Sequence, residues 1–95
     1  MFGTYWKMIE SHWSMGRYSY SSASSYEYTR VYSSKKNAIN RMKENINNWI
    51  EWQDKKHSCV KILMDTNERM TAMCYNSTLD QWRLIDVIIE ETTVS

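Results

Sequence analysis

Two histidines and two cysteines are the residues of this chain best suited to hold a metal, and His57-Ser58-Cys59 sets two of them side by side. His12 and Cys74 could complete a set of four. Zinc sites draw their ligands from short, recurring spacings, and neither C-x-x-C nor H-x-x-x-H occurs here. Alternation along the strands expected at 59–65 and 69–75 puts Cys59 and Cys74 on opposite sheet faces, against both a shared metal and a disulfide. Buried thiols fit the pattern better, and no cofactor is expected. Catalytic groupings are equally thin. The chain has no G-x-S-x-G turn, no H-E-x-x-H helix and no glycine-bracketed cysteine. Glu90 and Glu91 are neighbours on a strand and point to opposite faces, so they cannot share acid–base work. A non-enzymatic protein is the expectation.

Two stretches could bind rather than react. Between Tyr28 and Lys43 there are five basic residues and no acid. Lys35 and Lys36 fall in the first turn of a helix, where the dipole disfavours cations. Arg30, Arg41 and Lys43 follow nearby. An anion bound at the helix start would explain the placement, and flanking tyrosines could stack on bases of a single strand. Against this stand a net charge of only +1 and the absence of RRM or KH signatures, so a solvated basic face is the plainer alternative. The second stretch, residues 18–28, alternates tyrosine with serine in the manner of paratope loops, where tyrosine supplies rigid contact area and serine adaptable hydrogen bonds. Arg17 and Arg30 bracket it, and arginine is enriched at binding hot spots. The expected partner-binding set is therefore Arg17, Tyr18, Tyr20, Tyr26, Tyr28 and Arg30. The plainer alternative is a hairpin tip whose tyrosines pack on a sheet.

Composition bounds these readings. Ninety-five residues fit one domain, which buries roughly 60–65% of the surface its unfolded chain exposes. Five Trp and seven Tyr against one Phe favour half-wet surfaces, because both side chains end in a polar tip. No apolar run is long enough to span a membrane and no signal-peptide pattern opens the chain, so a cytoplasmic protein is expected. The absence of proline and the two glycines exclude glycine-rich phosphate loops. Residues 1–56 hold nine Lys/Arg against five Asp/Glu, and residues 57–95 three against six, giving +4 and −3. That division predicts a basic end and an acidic end.

The elements that must position these residues follow from periodicity. Residues 4–13 and 26–32 read as strands of a hairpin, with 14–25 as its loop, and Tyr26, Tyr28, Arg30 and Tyr32 share a face. Ser33 or Ser34 caps a helix in which Ala38, Ile39, Met42, Ile46, Trp49 and Ile50 form one apolar stripe. Burying its five large side chains contributes on the order of 10 kcal/mol before entropy. Strands follow at 59–65, 69–75 and 82–91. A three-residue loop at Thr66-Asn67-Glu68 pairs Asp65 with Arg69 and gathers Val60, Ile62, Met64, Met70, Ala72 and Cys74 on one face. The last strand is apolar on both faces and should be central or doubly covered. One helix covers one face only, so Trp82, Leu84, Leu63, Met73 and Tyr75 need another cover: the N-terminal hairpin, a second copy in a homodimer, or a target protein.

The junction Arg30-Val31-Tyr32-Ser33-Ser34-Lys35-Lys36-Asn37-Ala38-Ile39 resembles one in small phage and mobile-element proteins, where a strand ends in Ser-Ser and a helix begins with Ala and an aliphatic residue. Trp82-Arg83-Leu84-Ile85-Asp86-Val87 resembles their closing strands. With the closing strand running nearly to the C-terminus, these segments cover about a quarter of the chain. The Tyr/Ser segment and the 59–75 hairpin depart from that pattern, so no residue role carries over. The resemblance implies an inhibitor of bacterial defence, of the anti-CRISPR kind, acting stoichiometrically on a nuclease. The expected fold is α+β, in the order β-β-α-β-β-β, and the expected function a non-catalytic protein-binding module. A nucleic-acid-binding protein using Lys35, Lys36, Arg41 and Lys43, or a structural homo-oligomer, are the alternatives.

Overall fold

Of the two serines offered as caps, Ser34 serves. Its Oγ accepts the Asn37 backbone N–H at 3.3 Å, engaging one otherwise orphaned first-turn donor, and its carbonyl accepts that of Ala38 at 3.1 Å, the first i→i−4 bond of the helix. In this computed structural model, which describes residues 3–16, 24–54, 58–77 and 80–94, helix α1 spans Lys35–Asp54. Ala38, Met42 and Ile46 are fully buried, and Ile39, Trp49 and Ile50 pack at the margin of the same core. The stripe ends on a polar residue, Gln53, whose Oε1 lies 3.5 Å from the buried Cys74 thiol.

The strands are β1 Gly3–Gly16, β2 Ser24–Tyr32, β3 Ser58–Asp65, β4 Arg69–Asn76 and β5 Gln81–Val94. They form one antiparallel sheet in the order β2-β1-β5-β4-β3, so the fold is α+β with the chain order expected. Much of the anticipated 14–25 loop belongs to strands; residues 17–23 lie outside the described set. Strand β5 is the middle one. Its Ile85, Val87 and Ile89 are buried against the helix side with Met8, Met70 and Ala72.

The described strands of the N-terminal hairpin do not cover the second face. They extend the sheet in plane, with β1 paired to β5 from Gly3↔Val94 to Gly16↔Gln81. Draped across the face, they would leave the backbone N–H and C=O groups of that β5 edge unpaired, a cost that a continuous ladder removes. The resulting body measures 52 × 26 × 16 Å, and its thickness is that of one sheet plus one helix. Fourteen-residue strands reach roughly 46 Å, whereas twenty helical residues reach about 30 Å. The helix therefore leaves sheet uncovered even on its own side.

The β3–β4 hairpin corrects one expectation. Its tip is a two-residue turn at Asn67-Glu68, closed by Thr66: the Thr66 N–H donates to the Arg69 carbonyl at 2.9 Å, and its Oγ1 accepts the Glu68 and Arg69 N–H groups at 3.2 and 2.9 Å. Asp65 consequently pairs with Met70, not Arg69. An extra residue between Ile62 and Met64 then shifts the register, so that Val60↔Cys74 and Ile62↔Ala72 pair as a three-residue loop would have required. Met64 pairs with Thr71 and falls on the opposite face from Met70. A bulge reconciles a tight turn with a mostly correct apolar face.

Candidate functional site

Glu10, on the helix side of β1, is buried, as a carboxylate can be only where donors surround it. His12 Nε2 lies 2.6 Å from its Oε2, Asn45 Nδ2 donates to Oε1 at 3.0 Å, and the Tyr28 hydroxyl donates to Oε2. Burial by itself pushes the Glu10 carboxyl up. The hydrogen bonds from His12, Tyr28 and Asn45 outweigh it and hold the group below its ordinary value of 4.5. The Tyr28 hydroxyl is pushed up, first by burial and then by its bond to Glu10. The His12 ring stacks on Tyr26 at 4.6 Å between centroids and 8° between planes. Chemically, the arrangement fixes an imidazole in plane and by one nitrogen.

A cleft of about 320 Å³ opens beside this node, lined among others by His12, Tyr26, Trp49, Trp52, Gln81 and Arg83. The register explains its walls. Tyr26 is the cross-strand partner of His12, and Ile85 pairs with His12 on the other side, two residues from Arg83. From the helix, Asn45, Trp49 and Trp52 stand at i, i+4 and i+7, one flank of the cylinder. Arg83 Nε donates to Gln81 Oε1 at 3.1 Å.

The other face of the sheet carries a contiguous apolar patch. Trp13 pairs with Leu84, Met15 with Trp82, and Met73 and Tyr75 flank Leu84 and Trp82 from β4. Trp13, Met15 and Trp82 are 44%, 42% and 41% exposed, and the Tyr75 and Trp82 rings meet at 5.0 Å. A hollow of about 340 Å³ lies among Trp13, Met15, Met73, Trp82 and Leu84; Arg83 borders both it and the cleft. A polar row crosses the sheet next to the patch. Arg69 donates to Asp86 from Nε at 2.9 Å and Nη2 at 3.2 Å, Thr71 donates to Asp86 at 2.7 Å, and Ser11 donates to Glu27 at 3.2 Å. Its bonds to Asp86 make the Arg69 guanidinium still harder to deprotonate.

The residues singled out from sequence are placed as follows. Tyr26, Tyr28 and Arg30 lie on β2, an outer strand, and face the helix side with Tyr32, as expected. Tyr26 and Arg30 are exposed, but the Tyr28 hydroxyl is committed to Glu10. Arg17, Tyr18 and Tyr20 lie outside the described residues, as do His57, Lys55 and Lys56. The basic helix start is not a cluster. Lys35 stands 3.9 Å from Glu68 and Arg41 3.3 Å from Glu44. Lys36 and Lys43, seven residues apart, share one flank, while Arg41 is about 140° round the axis from Lys36. The basic and acidic ends expected from the chain's two halves are not separated here: Lys35, Glu68 and Glu91 line one shallow hollow, because β5 and the β3–β4 turn return to the helix start. His12 and Cys74 bond to Glu10 and Gln53 respectively, and Cys59 pairs in register with Tyr75, one position from the Val60↔Cys74 pair.

Sequence reasoning missed Glu10, Asn45, Trp49, Trp52 and Arg83 as site residues. Two local signals were present: Glu10-x-His12 on one strand face, and the Asn45, Trp49, Trp52 spacing on one helix flank. Comparison with known protein families, curated proteins and solved structures gives no match. No helix of the described residues is long and apolar enough to cross a membrane.

Proposed function

We propose that this chain is a non-catalytic protein-binding module whose docking surface is the open sheet face. The observation that carries the reading is the patch of Trp13, Met15, Met73, Trp82 and Leu84, which neither the helix nor the described strands of the N-terminal hairpin cover. Large aromatic and methionine side chains on a rigid sheet are what interface centres are made of, and patches of this kind mark interaction sites. In the neighbouring row of Ser11, Glu27, Asp86, Thr71 and Arg69, the Asp86 carboxylate is already paired with the Arg69 guanidinium and the Thr71 hydroxyl, so a partner can cover that pair without stranding its charge. The finer reading, a stoichiometric inhibitor of a host defence nuclease, rests on the resemblance of residues 30–39 and 82–87 to phage and mobile-element proteins.

The test combines Met73→Lys with Trp82→Ala, on strands β4 and β5, after circular dichroism and melting show that the fold is kept. Wild-type chain expressed beside a panel of CRISPR effector nucleases should restore survival of a targeted plasmid, and the double variant should not. Equal protection by both proteins removes the sheet face from the reading. Sedimentation of the same pair decides whether a second copy occupies the face: a doubled mass that the variant loses assigns it to self-association.

A further inference from the structure

We infer that the cleft between β1, β2 and the C-terminal half of α1 is a binding site for a nucleotide unit, a planar base carrying a phosphate. Its volume, about 320 Å³, stands at the small end of ligand sites, roughly 300–1,000 Å³. Three aromatic rings are presented on two separate elements of rigid scaffold: Tyr26 from β2, and Trp49 and Trp52 from one flank of the helix. Tyr26 and Trp52 are 60% and 56% exposed, so each offers ring area that the protein does not itself cover. Tyr26 already stacks on His12 at 4.6 Å, and a base extends such a stack without needing sequence-specific bonds.

The charge of the lining selects the ligand's sign. Among the described residues, Arg83 and His12 line the cleft and no carboxylate does. Glu10, bonded to His12, is occupied by His12, Tyr28 and Asn45. Arg83 is oriented by Gln81 through Nε, and a guanidinium has five N–H donors in a fork that matches phosphate oxygens. A neutral sugar would leave that cation unanswered, and a purely apolar ligand would leave the imidazole and guanidinium facing carbon. Stacking rings beside a guanidinium fit a nucleotide. Trp13, Arg83 and Leu84 border both the cleft and the docking face proposed above, but the stacking residues Tyr26 and Trp52 lie on the helix side of the sheet, so their substitution leaves that face unchanged.

Tryptophan fluorescence of the full chain at low salt is the readout, titrated with AMP, UMP, adenosine and a short oligothymidylate. Saturable quenching by the mononucleotides is expected, with adenosine weaker by about tenfold for want of a phosphate. Trp52→Ala should weaken AMP by about tenfold, and Arg83→Gln should weaken AMP while leaving adenosine unchanged. Both side chains are at least partly exposed, and Tyr26→Ser, on an outer strand, gives a second stacking variant should either fail to fold. Oligothymidylate binding tighter than UMP assigns the site to one unit of a strand; equal affinities assign it to a free nucleotide. Absence of saturable quenching by every one of these ligands at millimolar concentration overturns the proposal, and so does wild-type affinity in Trp52→Ala and Arg83→Gln together.

Discussion

Replacing Glu10 tests the node on which the helix side of the sheet converges. Its carboxylate accepts from His12, Asn45 and Tyr28, groups drawn from β1, α1 and β2. Glu10→Gln keeps the shape and one accepting oxygen, and the new amide can donate to the imidazole in its other tautomer. The loss is then the charge-assisted part of the bonds, about 1–2 kcal/mol. Glu10→Leu removes the acceptor altogether and strands three polar groups, each costing about 1–3 kcal/mol if no water reaches it, so about 3 kcal/mol or more in sum. For a domain of this size each kcal/mol moves the melting temperature by about 4–8 °C. The pH dependence is the sharper arm. Because the folded-state pKa of Glu10 lies below 4.5, its stabilisation is complete above the unfolded value and fades as pH falls through the folded one. Urea melts of wild type and Glu10→Gln, taken from about pH 7 down to about pH 3, should therefore converge on the acid side. A stability gap that stays constant across that window means the carboxylate is not held ionised by its three donors, and the account of the node fails.

Two further outcomes check the scaffold. Ile46→Ala, at a fully buried position of the helix stripe, should cost about 2–5 kcal/mol by equilibrium unfolding, since it combines lost burial with a cavity. Ser34→Ala should cost about 1 kcal/mol, with Ser33→Ala near neutral, because only Ser34 accepts the Asn37 N–H.

How much of this was legible beforehand differs element by element. The apolar stripe from Ala38 to Ile50, a serine cap at 33 or 34 and a last strand either central or doubly covered follow from rules that act within one segment: a period, an orphan donor, a strand greasy on both faces. The face shared by Tyr26, Tyr28, Arg30 and Tyr32 follows from alternation in the same way. The β3–β4 register was half legible. Its apolar pattern named the correct pairs for Val60 and Ile62, but the turn chemistry of Thr66 favoured a tighter loop, and a bulge absorbed the conflict before Met64.

What the chain determined alone, then, was which residues form each element and which side of it is apolar. Tertiary structure decided which elements meet. It laid the N-terminal hairpin beside β5 and not over Trp82 and Leu84, because backbone groups along a long strand edge demand partners more strongly than an apolar patch demands a lid. It brought Asn45 to Glu10 across 35 positions of sequence, and it returned Glu68 and Glu91 to the helix start, beside the very lysine whose placement had suggested a bound anion. Periodicity is a property of a segment, whereas pairing is a competition among segments, and only the folded chain resolves it.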